Sequence, residues 1–153
     1  MKLRTIGYEA ATQGAVIAAL QAAGVAVLID VRAVAASRRP GFSKRTLAAS
    51  LDQAGIAYVH LRPLGTPKAG REAARAGRVA DMREIFEAHL AEPEAQLALA
   101  QAGEIAGERP AALLCYEADP AGCHRSIVAE RLARSTGVQI EHLRPPVAAS
   151  RSL

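Results

Sequence analysis

Short, continuous apolar runs alternate along this chain with Ala-rich stretches of helical composition. The clearest runs lie at residues 25–29 and 111–116. An apolar run without polar alternation is typical of a strand that is buried on both faces. Strands of this kind, separated by helices, favour a parallel sheet that is covered on both sides. The pattern therefore predicts an α/β fold, a three-layer sandwich whose mostly parallel sheet has about five strands with helices on both faces.

Glycine marks the junctions between the predicted helices and strands. Residues 20–27 match residues 51–58 in chemistry, and each stretch is a helix end, a glycine and the start of a strand. Gly24 and Gly55 stand just past the helix, where a left-handed backbone favours glycine. A looser third copy contains Gly137. The irregular spacing of these copies indicates repeated βα units and not a solenoid.

The same reasoning locates the remaining elements. Strands are predicted at residues 3–7, 25–29, 56–61, 111–116 and 138–143, and helices at 13–23, 43–54, 80–91, 94–107 and 122–135. The stretch 62–79 is rich in Pro, Gly and Arg, which predicts a long loop or a broken helix. Residues 1–145 are expected to form a single domain, and residues 146–153 a C-terminal tail.

Cellular location is inferred from what the chain lacks. It has no apolar run of about 20 residues, and its start lacks the apolar core of a signal peptide. Cys115 and Cys123 lie among polar residues and do not indicate a disulfide framework. Cys115 is instead expected to be a small core residue. We therefore expect a cytoplasmic protein without a membrane partner.

Positive charge is concentrated in one part of the chain. The net charge is +4, but segment 32–83 contains eleven Lys or Arg residues and three acidic ones, a local charge of +8. Such a segment predicts either a nucleic-acid-binding module or an ordinary solvated surface. The stripe of Arg71, Arg75 and Arg78 at helical spacing is typical of a solvated face, and the alternatives are a lid or a contact with nucleic-acid phosphates. With five aromatic residues and no Trp, a base-stacking platform is disfavoured.

Polar side chains follow four of the predicted strands, with Arg62 after the third. Because the carboxyl ends of parallel strands meet at one edge of the sheet, these side chains are expected to converge there, where open α/β folds bind ligands. The candidates are Tyr8 and Glu9 after the first strand, Asp30, Arg32, Ser37, Arg38 and Arg39 at the second, and Glu117, Asp119, Cys123, His124, Arg125 and Ser126 after the fourth.

The Cys123-His124-Arg125 triplet lies at a predicted helix start. Free amides and the positive end of a helix suit a phosphate or carboxylate and favour a thiolate at Cys123. Arg125 could fork onto the same anion. Asp119 has an alternative role as a helix cap before Pro120. The spacing lacks the loop of Cys-based phosphatases and rhodaneses, and it fits no pair of zinc knuckles, so no metal or cofactor is expected.

Asp30 ends a buried strand, where a carboxylate is costly unless it is paired. Arg32 and Arg125 are the candidate partners, and the pair could serve catalysis or only shape the loop. Arg38 and Arg39 precede a Pro-Gly turn, and Ser43 then starts a helix, which predicts a second anion site. The chain has no glycine-rich nucleotide fingerprint, Walker loop or serine nucleophile elbow.

Several of these motifs, taken in order, resemble the Domain of Unknown Function 488 family. They are Thr5-Ile6-Gly7-Tyr8-Glu9, Leu28-Ile29-Asp30-Val31-Arg32, Ser37-Arg38-Arg39-Pro40-Gly41-Phe42-Ser43-Lys44, Gly55-Ile56-Ala57-Tyr58-Val59-His60-Leu61, Leu64-Gly65-Thr66-Pro67, and Leu114-Cys115-Tyr116-Glu117-Ala118-Asp119-Pro120 through Cys123-His124-Arg125-Ser126. The resemblance implies a small bacterial or archaeal α/β protein whose activity is not established. It maps the family's recurrent polar positions onto the candidates above, although Val34-Ala35-Ala36 stands where relatives often carry Pro.

Taken together, the sequence predicts an enzyme or ligand-binding domain for a small anionic molecule, phosphorylated or nucleotide-like, at the carboxyl edge of the sheet. The expected reacting groups are Asp30, Glu117, Cys123 and His124. The expected binding groups are Tyr8, Glu9, Arg32, Ser37, Arg38, Arg39, Asp119, Arg125 and Ser126. The alternative is nucleic-acid binding through segment 32–83, and the sequence leaves catalysis, ligand-dependent regulation and oligomeric state open.

Overall fold

Five strands form a single sheet in the computed structural model, which describes residues 2–146. They are β1 (Lys2–Gly7), β2 (Val27–Asp30), β3 (Ala57–His60), β4 (Ala111–Cys115) and β5 (Gln139–Leu143). Their order across the sheet is β3-β2-β4-β1-β5, and every pairing is parallel. The predicted fold class is therefore confirmed. The predicted tail lies, apart from residue 146, outside the described residues.

Six α-helices connect these strands. They are α1 (Gln13–Ala22), α2 (Lys44–Gln53), α3 (Lys68–Arg75), α4 (Val79–Leu90), α5 (Pro93–Glu108) and α6 (His124–Thr136), with short 3-10 turns at Arg62–Leu64 and Pro120–Gly122. Segment 62–79 is thus a broken helix, one of the two predicted forms. Between residues 2 and 146, no helix combines the length and the hydropathy needed to cross a membrane.

The helices cover the sheet in two layers because side chains alternate along each strand. Leu114 points toward a core that α1 and α2 complete with Val16, Leu20 and Leu47. Leu113 points to the opposite core, which α3, α4, α5 and α6 complete. β2 and β4 are buried along their whole length, which is why they appear in the sequence as nearly continuous apolar runs.

The helix boundaries follow the local chemistry of the chain. The Thr12 hydroxyl accepts a hydrogen bond from the Ala15 amide and so caps α1. Gly24 and Gly55 follow α1 and α2 with φ of +70° and +78°, as predicted.

The chain leaves the sheet in opposite directions around β4. After β1 and β2 it passes to α1 and α2 on one face, whereas after β4 it passes to α6 on the other face. Because β4 lies between β1 and β2, these diverging loops leave a crevice at its carboxyl end. Crevices of this kind are the usual ligand sites of open α/β sheets.

Candidate functional site

The loop after β4 is fastened to the end of β1. The amides of Tyr8 and Glu9 donate to the carbonyls of Cys115 and Tyr116, at 3.3 and 2.8 Å. The Glu9 carboxylate in turn accepts from the Ala118 amide at 3.1 Å. These bonds extend the pairing of the two strands past the sheet and place the loop beside Tyr8.

Gly7 allows this close approach. A Cβ atom at position 7 would lie 1.8 Å from the carbonyl oxygen of Glu117 and 3.0 Å from Nη1 of Arg125. A side chain would therefore collide with the backbone of the loop. No local pattern in the sequence marks Gly7 as special, since it stands in no turn that needs a positive φ. The need for glycine arises only because the fold brings the backbone of Glu117 against it.

The Arg125 side chain anchors the loop after β4 by hydrogen bonds to its backbone. Its side chain is fully buried, and it donates to the Thr5 hydroxyl and to the carbonyls of Glu117 and Ala118. Nη1 also lies 3.2 Å from the sulfur of Cys115. No carboxylate within residues 2–146 forms a salt bridge with Arg125, and burial lowers its pKa to about 10. Most donors of Arg125 are thus taken up by the protein, and its role as a ligand for a bound anion stays a prediction.

Asp30 and Arg32 form a buried pair. Arg32 Nε and Nη2 donate to the two carboxylate oxygens at 2.9 and 2.7 Å, and Nη1 donates to the Phe42 carbonyl at 2.7 Å. Tyr58 donates a further hydrogen bond to Asp30. Burial opposes the charge on Arg32, but the hydrogen bonds and charge of Asp30 outweigh it and raise the pKa of Arg32. Asp30 and Arg32 thus form the ion pair that the sequence suggests. Asp30 does not line the pocket at the end of β4, whereas Arg32 does.

A small pocket, here called the inner pocket, opens at the carboxyl end of β4. It has a volume of about 110 Å³. Its polar lining comes from four parts of the chain: Tyr8 after β1, Arg32 after β2, Thr66 and Arg71 near α3, and Cys115, Tyr116, Glu117 and His124 around β4 and α6. Ala33, Val34, Ala74, Met82 and Gly122 complete the wall. The crevice predicted from the strand order is therefore a real cavity with titratable groups in it.

Besides Arg32, two groups in the inner pocket have shifted pKa values. Burial raises the pKa of Glu117, against the opposing charge of Arg125, so its carboxyl holds a proton at higher pH than usual. Burial lowers the pKa of His124 to about 4, so its ring is neutral near pH 7. His124 Nε2 lies 2.7 Å from the Val31 carbonyl, which fixes the proton on Nε2 and leaves Nδ1 as an acceptor.

Cys115 and Cys123 are joined by a disulfide. The sequence-based expectation that these cysteines do not pair is therefore wrong, because the turn at Pro120–Gly122 returns the chain to the end of β4. The ligand atoms of Cys115, Cys123 and His124 all lie within 4.8 Å of one another, the donor set of a soft metal site. Because the two sulfurs are bonded to each other, neither is present as the thiolate that binds a metal.

A larger depression, here called the outer cleft, adjoins the inner pocket. It has a volume of about 640 Å³ and shares Ala33, Val34, Thr66 and Arg71 with the inner pocket. Its other polar lining includes Arg62, His89, Glu92 and Glu94. Within residues 2–146, the Thr66 carbonyl is the one hydrogen-bond partner of the Arg71 side chain, at 2.9 Å. Arg71 therefore lies between the two cavities, and most of its N–H donors have no acceptor within residues 2–146.

One comparison with known proteins finds a match. The profile of the family described as domain of unknown function DUF488 matches residues 12–132. The chain belongs to the DUF488 family. No curated protein and no solved structure matches it significantly. The resemblance inferred from the sequence motifs is thus confirmed, and the family description names no activity.

In this DUF488 protein the predicted site residues divide into two groups. Tyr8, Arg32, Glu117 and His124 line the inner pocket. Glu9, Asp119 and Ser126 instead support the loop and α6: Asp119 caps the turn at Pro120–Gly122, and the Ser126 hydroxyl donates to the Cys123 carbonyl. Cys123 caps α6 and reaches the inner pocket only through its bond to Cys115.

The predicted second anion site does not join the inner pocket. The Ser37 backbone and the Ser43 hydroxyl bond to each other, and Arg39 Nη2 donates to the Ala11 carbonyl. Arg38 is exposed. These residues shape the loop before α2 on the side of the sheet opposite α6, so they are separated from the groups around β4.

Sequence reasoning missed Cys115, Thr66 and Arg71 as parts of the pocket. Cys115 lies in the core, as predicted, and also lines the pocket, whereas Arg71 is predicted to face solvent because it belongs to a basic stripe. The available signal was the position of Cys115 as the last strand residue, since such residues face the ligand crevice in open α/β sheets.

Proposed function

We propose that this protein binds a small anionic molecule at the carboxyl end of β4 and acts on it as an enzyme. One observation carries the proposal: the inner pocket gathers a cation with unused donors, Arg71, beside a carboxyl and a sulfur, Glu117 and Cys115. Groups with perturbed protonation in a pocket at the ligand edge of an α/β sheet are the usual signature of an active site.

The charges around the pocket favour an anionic ligand. The charge of Arg32 is balanced by Asp30, whereas Arg71 forms no salt bridge within residues 2–146. Arg71 is therefore a cation of the inner pocket that no carboxylate within residues 2–146 neutralises, and a guanidinium fork suits a phosphate or a carboxylate.

The inner pocket and the outer cleft would each hold a different part of the ligand. About 110 Å³ accommodates one small group beside Glu117 and Cys115, and the outer cleft accommodates a further part such as a sugar or a base. Glu117 would act as a general acid or base, since its raised pKa brings it closer to neutral pH.

Calorimetric titration with inorganic phosphate, AMP and succinate tests the binding. We expect at least one probe to bind and Arg71→Gln to weaken it about tenfold or more, because a charged hydrogen bond contributes roughly 1.5–3 kcal/mol. Arg78→Gln is the matched control, since Arg78 belongs to the same basic stripe but pairs with Asp81 at the surface. Equal effects of the two substitutions, or no binding of any probe, would refute the proposal.

Catalysis is tested separately from binding. The protein is incubated with a cell extract of small metabolites, and products are followed by mass spectrometry. Glu117→Gln should retain the affinity for the bound probe and lose product formation. A ligand that binds and is returned unchanged by the unsubstituted protein would reduce the proposal to a binding domain.

A further inference from the structure

The disulfide between Cys115 and Cys123 connects the inner pocket to the start of α6. Cys115 is the last residue of β4 and lines the pocket, whereas Cys123 is the N-cap residue of α6 and lies behind it. Both side chains are 1% exposed. The pocket therefore gives a small molecule an approach to the pair, and it reaches Cys115 first.

Arg125 is arranged to stabilise a negative charge on Cys115 once the bond is reduced. The guanidinium is fully buried and has no carboxylate partner within residues 2–146, while its Nη1 lies 3.2 Å from the Cys115 sulfur. A buried cation without an anion is costly, and a thiolate at this sulfur removes that cost. The other donors of Arg125 are held by backbone carbonyls and Thr5, so the guanidinium cannot turn away.

Cys123 has its own reason to be reactive. Its sulfur accepts a hydrogen bond from the Arg125 amide at 3.5 Å, at the positive end of α6. Helix N-termini stabilise thiolates and so favour attack by cysteine. The Cα atoms of the pair are 7.4 Å apart, beyond the roughly 4.4–6.8 Å usual for a disulfide, so this backbone also accommodates two separate thiols.

A proton acceptor completes the arrangement. Glu117 Oε2 lies 3.5 Å from the Cys115 sulfur, on the pocket side of the strand end. The carboxylate can take the thiol proton of Cys115 and return it to a thiolate that leaves through the pocket.

We propose that Cys115 and Cys123 form a redox-active pair that exchanges with low-molecular-weight disulfides, with Cys115 as the attacking thiol and Cys123 as the resolving thiol. The Cys115 sulfur gives its proton to Glu117 and attacks one sulfur of the substrate RSSR. The S–S bond breaks, and one RS⁻ leaves and takes the proton from Glu117. Cys123 then attacks the Cys115 sulfur, the second RSH departs with the Cys123 proton, and the internal disulfide forms. Two thiols lose two electrons, and RSSR gains them as two RSH.

This inference uses the inner pocket but does not need the anion of the proposed function. A redox pair next to a ligand site is also different from a structural crosslink. A structural disulfide resists millimolar thiol reductants, whereas a pair with an open pocket exchanges with small ones. The same three donors could instead hold Zn²⁺ in the reduced protein, which the experiment distinguishes.

The test uses the full chain, reduced and then freed of reductant. It is mixed with bis(2-hydroxyethyl) disulfide, a small neutral probe, and followed by intact mass and thiol counting. We expect the unsubstituted protein to lose two thiols without a lasting adduct. Cys123→Ser should accumulate one mixed disulfide with 2-mercaptoethanol on Cys115. Cys115→Ser should react at least tenfold more slowly, because Cys123 lies behind the pocket. Circular dichroism verifies that each variant is folded.

Internal controls keep the result decisive. The urea-unfolded chain reports the intrinsic reactivity of both cysteines, and folded Cys115 should exceed it at least tenfold. Dithiodiglycolate, an anionic probe of similar size, separates this inference from the proposed function, because only its reaction should depend on Arg71. The proposal is overturned if the disulfide survives millimolar dithiothreitol in the folded protein, if both cysteines react more slowly than in urea, or if stoichiometric Zn²⁺ protects both thiols from the probe.

Discussion

Two buried arginines of this protein differ in what neutralises them. Arg32 is forked onto Asp30 within the core, so its charge and its position are both fixed by the protein. Arg125 is held by carbonyls, a hydroxyl and the Cys115 sulfur. Both were predicted to bind an anion, and the sequence cannot separate them from the exposed arginines, because the number of donors left for a ligand depends on contacts made across the fold.

His124 makes the stability of the protein depend on pH. Its pKa is about 4 in the folded state, because burial disfavours the charged ring, and it returns to about 6.5 on unfolding. Between these values the unfolded chain binds more protons, so the free energy of unfolding falls as the pH falls. The full contribution is present above pH 6.5, and a difference of this size corresponds to about 3 kcal/mol lost by about pH 4.

Urea unfolding of the parent and of His124→Gln at pH values from 7 to 4 measures this contribution. The glutamine amide can still donate to the Val31 carbonyl, as Nε2 does, but does not titrate. The parent should therefore lose about 3 kcal/mol more than the variant over this range. Parallel pH profiles for the two proteins would show that the ring does not titrate as its burial implies.

At the scale of elements, the loop after β4 depends on the absence of a side chain at Gly7. Gly7→Ala places a Cβ atom against the Glu117 carbonyl, which must then move away from the donors of Arg125. Because backbone is displaced, we expect a loss of about 1–3 kcal/mol in the free energy of unfolding, the usual cost of overpacking. Ligand binding and thiol exchange should fall as well, since Cys115 and Glu117 share this loop.

Gly14→Ala is the matched control for that substitution. Gly14 lies exposed in α1, and a Cβ there meets nothing within 4 Å. Alanine is the better helix former, so the control should gain up to about 1 kcal/mol. If Gly7→Ala were as harmless as Gly14→Ala in urea unfolding, the close approach of the loop to β1 would not exist in solution.

The elements themselves could be predicted because each follows a local rule. Continuous apolar runs indicated β2 and β4, short β-rich runs indicated the other three strands, and Thr12, Gly24 and Gly55 marked helix boundaries. The disulfide and the Gly7 contact could not be predicted in this way. They depend on how far the turn at Pro120–Gly122 brings the chain back over the sheet, which no local pattern specifies.

At the scale of the whole molecule, the strand order decides which predicted residues meet. Of the polar residues predicted at the carboxyl edge, Tyr8, Arg32, Glu117 and His124 line the inner pocket. The loop before α2 also starts at this edge, but it then turns toward the opposite face, which is why Ser37, Arg38 and Arg39 do not reach the inner pocket. An edge can be inferred from a parallel sheet, whereas the face to which each loop turns requires the structure.

The fold also divides the basic segment 32–83 between two sides of the sandwich. Lys44 and Arg45 are exposed on α2, on one face of the sheet. Lys68 and Arg75 are exposed on α3, on the other face, and Arg78 pairs with Asp81. Arg32 is buried. The local charge of +8 is therefore not one continuous surface, and long polyanions need such a surface to bind along.

Mobility shift of a 20-base-pair duplex and of a single strand of the same length tests this reasoning. We expect no retardation by micromolar protein at 150 mM salt, and at 50 mM salt only weak retardation that Lys44→Gln and Lys68→Gln each reduce to a small and equal extent, because the two faces act independently. A single nucleic-acid groove would behave differently. It would give micromolar affinity that falls steeply with salt, and one of the two substitutions would weaken it while the other would not. That result would favour nucleic-acid binding through segment 32–83 over the small anionic ligand, since Arg71 would then serve a surface and not a pocket.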